Sequence, residues 1–394
     1  MNIPAGLKNI SIEKILIKEN AGAELREFIA ANFRGARGCG ICDFNTEPFV
    51  RDYCDAAALE LGAYHADEYM LEAYDALVRD KNYDYFIACG AGTIHDITRV
   101  IAHEYGKPFI SFPTAASVDG FVSGIAPITA KSGMKLTLAS AAPVALFADI
   151  NIIAAAPRRL AASGMGDLLG KYTALADWRI ANLLMSEDID WRIIELEEQA
   201  IAGVRAALGG DYKRFCAELL EALVLSGLCM QSMGNSRPAS GAEHHIAHFF
   251  EMGVLGQNDR LHGENVAAGT ILCAGLYHEL AASPDIKFVE NYAADEDLVK
   301  KYYGGLSGEI MKENAPAYLH KITPGLFYDK LSGVREIIKD IPAAGEIREI
   351  LGRLGEPAYE PAGYDADVVL KLAPYVRNRF TLLKLCRCLN YSKG

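Results

Sequence analysis

Residues 84–96 read DYFIACGAGTIHD: an apolar strand, a turn of small residues and then the start of a helix. Glycines in such a turn let backbone N–H groups approach a phosphate, and the N-terminus of the following helix favours negative charge. The full GxGxxG fingerprint is absent, so an ordinary strand-to-helix turn explains the segment as well as a nucleotide site does. Both interpretations predict a strand that passes directly into a helix.

Strand and helix signals alternate on both sides of this segment. Apolar strands that alternate with helices indicate a mostly parallel sheet covered on both faces, as in Rossmann-like domains. The predicted strands are 12–17, 38–42, 85–89, 109–112 and 144–148, and the predicted helices between them are 23–33, 50–61, 68–79 and 93–105.

The pattern changes after Pro157, where long amphipathic helices follow one another without strand alternation. These predicted helices are 158–184, 187–208, 211–233, 242–251 and 265–280. We therefore predict an α/β fold: a Rossmann-like parallel-sheet domain over residues 1–155, an all-helical domain over residues 156–394, and a functional site in the cleft between them.

Composition limits the classes of function. The 394 residues carry a net charge of −12, which argues against nucleic acid and anionic membranes as partners. No secretory signal and no apolar run of membrane-spanning length is visible. The nine cysteines are scattered, which is typical of reduced thiols in a cytoplasmic protein; Cys39 and Cys42 have the spacing of a metal or redox pair but no matching second pair.

Two further features follow predicted strands. Asp43 ends the second strand, where a carboxylate accepts hydrogen bonds from an adenosine ribose, although with Thr46 it could equally cap a helix. Residues 112–120, FPTAASVDG, form a loop of small and hydroxyl residues after another strand, with Ser123 beyond it. Ligands of doubly wound folds bind at this edge of the sheet.

Histidines concentrate in the helical half. His244 and His248 lie on one face of a predicted helix, His262 begins another, and Asp167 lies upstream, one helical turn before Lys171. Singly, each could be a buried core residue or, for Asp167 with Lys171, a surface ion pair. Together they fit one carboxylate and two imidazoles around a divalent cation.

The whole pattern resembles the dehydroquinate synthase-like, metal-dependent alcohol dehydrogenase superfamily. Within it, the chain resembles the sn-glycerol-1-phosphate dehydrogenases, and its length is more similar to that of the bacterial members. The resemblance spans nearly the whole chain. Its specific stretches are 112–120, GMGDLLGKYTALADW at 164–178, SRPASGAEHHIAH at 236–248, LHGENVAAG at 261–269 and VRNRFTLL at 376–383.

The resemblance implies an NAD(P)-dependent dehydrogenase that interconverts dihydroxyacetone phosphate and sn-glycerol 1-phosphate for glycerophospholipid synthesis. It implies catalytic and substrate contacts at Asp119 and His248, a further substrate contact at Asp167, and no role for His245. It implies a divalent metal, zinc with nickel as the alternative, held by Asp167, His244 and His262. The implied cofactor contacts are Asp43, Gly92, Thr93, Ile94, His95, Asp96, Thr114, Ala115, Ala116, Ser117 and Ser123.

A phosphorylated substrate requires a cation in an acidic protein. Lys171 and Arg237 are close in sequence to the metal-ligand candidates, so we predict that at least one of them binds the phosphate. We also expect a homodimer.

Three rival functions remain. A glycerol dehydrogenase shares the metal residues but acts on an unphosphorylated polyol. A dehydroquinate synthase-like lyase normally offers Glu as its first metal ligand, so Asp167 favours a dehydrogenase. A nucleotide-binding regulatory protein would not need an intact Asp and His set.

Overall fold

The computed structural model describes residues 1–61, 65–256, 259–289, 295–315, 318–355 and 364–391. A parallel sheet of six strands carries the N-terminal part of the chain. Its strands are β1 (Lys14–Lys18), β2 (Gly38–Asp43), β3 (Asp55–Leu59), β4 (Tyr85–Gly90), β5 (Phe109–Pro113) and β8 (Ala145–Asp149). Their spatial order is β1-β8-β5-β4-β2-β3, so the strand that precedes the glycine turn is central.

Side chains of β4 alternate between two apolar cores. Phe86 and Ala88 pack into a core on one face of the sheet, while Tyr85, Ile87 and Cys89 pack into a core on the other face. Both faces are therefore covered, as the near-continuous apolar sequence predicts. The helices of this region are α1 (Gly22–Asn32), α2 (Glu68–Val78) and α3 (Gly92–Glu104).

The cysteines of β2 are part of these cores. Cys39 packs on one face of the sheet and Cys42 on the other, so their thiols do not form a pair. Burial raises the pKa of Cys39 to about 11 and that of Cys42 to about 12. Buried thiols of this kind are unreactive core residues.

The predicted helix at 50–61 is wrong. A short 3-10 turn at Glu47–Phe49 is followed by strand β3, which pairs in parallel with β2. Three consecutive alanines make this stretch a good helix former, but hydrogen bonds along β2 outweigh that local preference.

The sequence analysis also missed a hairpin. Strands β6 (Ile125–Thr129) and β7 (Lys135–Ala139) pair antiparallel, and Ala126 and Ile128 of β6 pack into the core of α2 and α3. Their short alternating pattern lies next to the glycine- and serine-rich loop, which obscured it.

The remaining helices begin at residue 150. They are α4 (Ile150–Ala155), α5 (Arg158–Leu169), α6 (Lys171–Met185), α7 (Trp191–Ala207), α8 (Tyr212–Met233), α9 (Ala242–Glu251), α10 (His262–Ala282), α11 (Glu296–Tyr303), α12 (Ser307–Asn314), α13 (Pro324–Ile338), α14 (Ala344–Gly352), α15 (Ala366–Leu372) and α16 (Leu382–Cys386). The predicted helix at 158–184 is two helices that meet at Gly170. The C-terminal part also contains one short antiparallel pair, β9 (Ile286–Phe288) with β10 (Leu389–Tyr391), so it is helix-rich rather than entirely helical.

The chain forms two compact units, each made of several segments. The first unit contains residues 1–168, 196–236 and 259–263, and the second contains residues 169–195, 237–258 and 264–394. This division differs from the single predicted boundary near residue 155. The reason is that α8 packs on α4 and on a 3-10 turn at Gly120–Val122, which ties this long helix to the sheet unit.

Helix α8 is also long and apolar enough to span a membrane. Its most apolar stretch of 18 residues is 67% buried inside the protein. Such burial is typical of a core helix in a folded domain.

A buried carboxylate organises the second unit. Asp177 of α6 accepts hydrogen bonds from the amide of Ala242 at 2.8 Å, the amide of Leu382 at 2.7 Å and the hydroxyl of Tyr277 at 2.9 Å. Burial, followed by the charge of Glu243, raises the pKa of Asp177 to about 7. This one side chain therefore fixes the starts of α9 and α16 relative to α6.

Candidate functional site

The carboxyl ends of the parallel strands gather the predicted cofactor residues of the first unit at one edge of the sheet. Asp43 ends β2, Gly92 follows β4, and Thr114 follows β5. These three strands are direct neighbours through the pairs β2–β4 and β4–β5. This edge is where doubly wound folds bind ligands.

The N-terminus of α3 faces this edge with its first backbone amides. The first backbone bond of the helix runs from the amide of His95 to the carbonyl of Ala91 at 3.2 Å, so the amides of Gly92 and Thr93 precede it. A Cβ atom on Gly92 would lie 2.8 Å from a methyl group of Val118, which explains why this position is glycine. The turn therefore offers the amides and the close approach that a phosphate requires.

His95 itself does not fit the predicted cofactor contact. Its Nδ1 lies 3.0 Å from the Ala91 carbonyl oxygen and its Nε2 lies 2.9 Å from Oγ of Ser111. The ring is fully buried, and burial lowers its pKa to about 3. Ile94 is also fully buried in the core. Both side chains support the turn from inside the unit.

Asp96 follows one helical turn after Gly92. Burial raises the pKa of its carboxyl to about 6, against the charges of Arg99, Lys135 and His262. Arg99 lies 3.7 Å from Asp96 and is itself completely buried. A carboxyl with a raised pKa beside charged neighbours is typical of a functional cleft.

Asp43 caps the turn that follows β2. Its Oδ1 atom accepts hydrogen bonds from the amides of Asn45 at 2.7 Å and Thr46 at 3.0 Å, which close a turn after β2. Within the described chain, its hydrogen bonds use Oδ1 alone, so Oδ2 is available to a ribose hydroxyl.

The loop after β5 is held tightly against α5. A Cβ atom on Gly164 would lie 2.0 Å from the carbonyl oxygen of Ala116, so only glycine allows this approach. Oγ of Ser117 is buried and has no hydrogen-bond partner among the described residues. Such an orphaned hydroxyl is expected where a polar ligand completes the site. Thr114 donates its amide to the carbonyl of Gly90 at 3.1 Å, which fixes the start of the loop.

Ser123 supports the hairpin. Its hydroxyl donates to the carbonyl of Ile125 and accepts from the amide of the same residue, both at 3.2 Å. The side chain therefore shapes the chain where it enters β6.

Asp119 and Asp167 are joined by a hydrogen bond. The backbone amide of Asp119 donates to Oδ2 of Asp167 at 2.9 Å, and the hydroxyl of Ser226 donates to Oδ2 of Asp119 at 3.3 Å. Asp167 is completely buried. A buried carboxylate can act as a metal ligand where other ligand atoms lie close to it.

His262 begins α10 beside Asp167. Ligand atoms of these two residues lie within 4.8 Å of each other. The approach depends on Gly263, since a Cβ atom there would lie only 1.8 Å from the carbonyl oxygen of Ser163, one helical turn before Asp167. The hydroxyl of Ser163 also accepts the amide of Gly263 at 3.2 Å. The first unit thus presents one carboxylate and one imidazole to the same point.

His244 and His248 of α9 belong to the second unit and share a face, as the sequence predicts. Their ring centroids are 6.0 Å apart in an edge-to-face arrangement, and both side chains are buried. One turn of helix places both imidazoles in the same direction.

Glu243 orients His244. Its Oε1 atom accepts from Nδ1 of His244 at 2.8 Å and from the amide of Gly241 at 2.6 Å, and its Oε2 atom accepts from the hydroxyl of Thr173 at 2.6 Å. Burial alone would raise the pKa of Glu243, but the bonds and charge of His244 and the bond from Thr173 hold it below its usual value. With Nδ1 engaged, His244 presents Nε2 as its ligand atom, the usual arrangement around metal-binding histidines.

Glu251 orients His248 in the same way. Its Oε2 atom accepts from Nδ1 of His248 at 2.9 Å, and the carboxylate is completely buried. The sequence analysis assigned no role to Glu243 or Glu251. The i, i+3 spacing of His248 and Glu251 was a usable signal, whereas adjacent residues such as Glu243 and His244 are not expected to face each other.

The two predicted phosphate-binding cations have different surroundings. Arg237 is bound by Glu187 at 2.7 Å and also donates to the carbonyls of Phe380 at 3.0 Å and Asp177 at 3.3 Å. These contacts support a structural role for Arg237. Lys171, at the start of α6, is completely buried.

One family model matches part of the chain. Residues 45–157 match the model of a family described as iron-containing alcohol dehydrogenase.

Named relatives align with more than half of the chain. Glycerol-1-phosphate dehydrogenase [NAD(P)+] of Bacillus velezensis is 40% identical over 338 residues, which cover 79% of this chain and 84% of that protein. The enzyme of the same name from Geobacillus thermodenitrificans is 32% identical over 406 residues, covering 97% and 93%. That of Pyrococcus abyssi is 37% identical over 233 residues, covering 58% and 65%.

Solved structures with more distant sequences share the fold. A probable glycerol dehydrogenase from Sinorhizobium meliloti has a TM-score of 0.55 at 19% identity, covering 93% of this chain and 98% of that one. An archaeal alcohol dehydrogenase from a Red Sea brine pool has a TM-score of 0.57 at 14% identity, covering 95% and 100%. These likenesses confirm the predicted fold class.

Proposed function

Because this chain belongs to the glycerol-1-phosphate dehydrogenase family, we propose that it reduces dihydroxyacetone phosphate to sn-glycerol 1-phosphate, reversibly, with NADH or NADPH. The observation that carries this proposal is the 40% identity to a relative of that name over 84% of its length. The product would enter glycerophospholipid synthesis. We further propose that the enzyme is cytoplasmic and homodimeric.

The donor set fits a divalent metal ion. Asp167 and His262 approach each other within 4.8 Å, and His244 has its Nδ1 engaged by Glu243. One carboxylate and two imidazoles leave open positions for substrate, as catalytic zinc sites do. We propose these three residues as ligands, with zinc as the expected metal and nickel as the alternative.

The edge of the sheet fits a dinucleotide. The amides at the start of α3 suit the pyrophosphate, and Oδ2 of Asp43 suits the adenosine ribose. The buried hydroxyl of Ser117 lacks a partner among the described residues, which supports a polar ligand along residues 114–117. Ser123 and Asp96 extend the proposed contact surface.

When bound, the metal supplies polarisation of the ketone and the dinucleotide supplies the hydride. The chain then has to deliver a proton to the former ketone oxygen. His248 suits this role because Glu251 holds its Nδ1–H, which leaves Nε2 to exchange a proton with the substrate. Asp119, held by Ser226 and by Asp167, would position a substrate hydroxyl.

Lys171 is retained as a proposed phosphate contact. It lies at the start of α6 and is completely buried, and a buried ammonium is compatible with a nearby anion. Arg237 is a weaker candidate because Glu187 already balances its charge.

One assay tests the proposal. NADH and NADPH oxidation would be followed with dihydroxyacetone phosphate, with dihydroxyacetone and without a ketone, before and after chelation. We expect activity that prefers the phosphorylated ketone and is lost on chelation, with sn-glycerol 1-phosphate as the product. A preference for dihydroxyacetone would instead identify a glycerol dehydrogenase, and no oxidation with either ketone would contradict a dehydrogenase of this family.

A further inference from the structure

A hydroxyl group of α6 contacts the carboxylate that orients His244. Oγ1 of Thr173 lies 2.6 Å from Oε2 of Glu243, and both side chains are completely buried. The proposed function takes His244 as a metal ligand and Glu243 as the partner of its Nδ1 atom, but it assigns no role to Thr173. All three residues belong to the second unit.

Both carboxylate oxygens of Glu243 are occupied. Oε1 accepts from the amide of Gly241 at 2.6 Å and from Nδ1 of His244 at 2.8 Å, while Oε2 accepts from the hydroxyl of Thr173. The last torsion of a glutamate side chain is broad when nothing restrains it. A carboxylate that is held at both oxygens has one orientation, and Thr173 is the donor that holds the second oxygen.

The Thr173 hydroxyl is itself fixed by its helix and by close packing. Threonine is branched at Cβ, so its side chain has few rotamers in a helix. Oγ1 also lies 3.0 Å from the carbonyl oxygen of Gly170 in the preceding turn. A Cβ atom on Gly241 would lie 2.8 Å from Cα of Ala174, so glycine allows α6 to come this close to the start of α9.

A separate contact positions the backbone of α9 on α6. Asp177 lies one helical turn after Thr173 and accepts the amide of Ala242 at 2.8 Å. The backbone at the start of α9 is therefore tied to α6 without the Thr173 hydroxyl. Removing that hydroxyl should release the carboxylate of Glu243 while α9 stays in place.

We propose that Thr173 is a positioning residue for the metal site. Its hydroxyl holds Glu243 so that the carboxylate keeps Nδ1 of His244 engaged and leaves Nε2 to the metal. This inference rests on the proposed function, because it takes His244 as a metal ligand. It adds to the site a residue that lies 70 positions before Glu243 in the chain and does not itself contact the metal ligand.

The test compares the affinity for zinc of Thr173→Val and Thr173→Ser with that of the control Thr270→Val. Thr270 is a matched control, because it is completely buried on α10 of the same unit and its hydroxyl donates to the carbonyl of Val266 at 2.8 Å. Competition with a chromophoric chelator gives the dissociation constant for zinc without measuring turnover.

Thr173→Val should weaken zinc binding by roughly 10-fold, the lower end of the range for residues that support metal-binding histidines. Thr173→Ser keeps the hydroxyl and should bind zinc nearly as tightly as the wild type, as should Thr270→Val. Equal affinities in Thr173→Val and Thr270→Val would overturn the inference. A loss in Thr173→Ser as large as that in Thr173→Val would also overturn it, because the methyl group rather than the hydroxyl would then matter.

Thermal unfolding of the metal-free variants establishes that each one is folded, and Thr173→Ala replaces Thr173→Val if the valine variant is not. A further variant tests whether Thr173 acts through Glu243. Glu243→Met should weaken zinc binding at least as much as Thr173→Val, and adding Thr173→Val to it should change the affinity little, since coupled residues do not contribute additively. Fully additive losses would contradict a role that passes through Glu243.

The outcomes separate this inference from the proposed function. A wild-type protein that binds neither zinc nor nickel, or a His244→Ala variant that binds zinc as tightly as the wild type, contradicts the proposed metal site and this inference with it. If the wild type binds zinc, His244→Ala loses it and Thr173→Val keeps the wild-type affinity, the role of Thr173 is overturned and the proposed function stands.

Discussion

Nδ1 of His248 and Oε2 of Glu251 are joined by a buried hydrogen bond of 2.9 Å. This contact fixes the tautomer and the direction of the imidazole that we propose as the proton carrier. A carboxylate that holds one ring nitrogen also raises the basicity of the other. Glu251 is therefore a positioning residue for His248.

Glu251→Gln should lower kcat by roughly 10- to 100-fold, the range of a general acid or base contribution, with KM nearly unchanged. Steady-state kinetics and the solvent isotope effect on kcat would check this, because slower proton transfer enlarges that effect. Glu309→Gln, an exposed carboxylate on α12, serves as the control. Equal changes in kcat and KM, with no change in the isotope effect, would assign Glu251 a purely structural role.

His262→Ala should release the metal and abolish turnover, while the dinucleotide still binds. The reason is that the proposed dinucleotide contacts lie along β2, β4 and β5, on other parts of the first unit. Elemental analysis and quenching or enhancement of NADH fluorescence would measure the two effects separately. Full metal occupancy in this variant would contradict the assignment of His262 as a metal ligand.

Asp43→Asn should weaken the binding of NADH more than the binding of NADPH. Asparagine keeps an oxygen to accept the amides of Asn45 and Thr46, so the turn survives, but it loses the negative charge at the second oxygen. A carboxylate there accepts ribose hydroxyls and repels a 2′-phosphate. The ratio of the two Michaelis constants is the measurement, and an unchanged ratio would leave Asp43 as a turn cap alone.

His95 should make the stability of the protein depend on pH. Its pKa is lowered from 6.5 to about 3 by burial, so the unfolded chain takes up a proton that the folded protein does not. Stability is therefore complete above pH 6.5 and falls as the pH drops toward 3, by up to about 1.4 kcal/mol per pH unit. Denaturant unfolding at several pH values would measure this slope.

The matched variant for this effect is His95→Gln, which can still bond Ser111 but does not titrate. We expect its stability to be lower at neutral pH and to depend on pH less steeply than that of the wild type. A wild-type slope in this variant would show that other groups, such as His245, dominate the pH dependence.

Features that depend on the sequence of a single helix or strand were predictable. The helix at 242–251 begins and ends where its apolar and histidine periodicity indicates, and its two histidines share a face. Strand β3 was not predictable, because its alanines favour a helix until β2 offers hydrogen bonds. The role of Arg237 was hidden for a related reason, since Glu187 is distant in sequence and only the folded second unit brings the two together.

Close contacts that require glycine were also not predictable from the sequence. The sequence marks Gly263 only as part of a family motif, whereas its function is to let the first turn of α10 touch α5 at Ser163. That contact sets where His262 stands beside Asp167. The requirement for glycine arises because two helices approach each other closely, so the sequence of either helix alone does not predict it.

The hydrogen bond between Asp177 and the amide of Leu382 joins residues that are 205 positions apart. During translation, α6 emerges from the ribosome long before the segment that satisfies its buried carboxylate. The second unit therefore completes its core only after synthesis of the chain past residue 382, although domains often fold while the ribosome is still working. Until then the carboxylate of Asp177 lacks one of the amides that it binds in the folded unit.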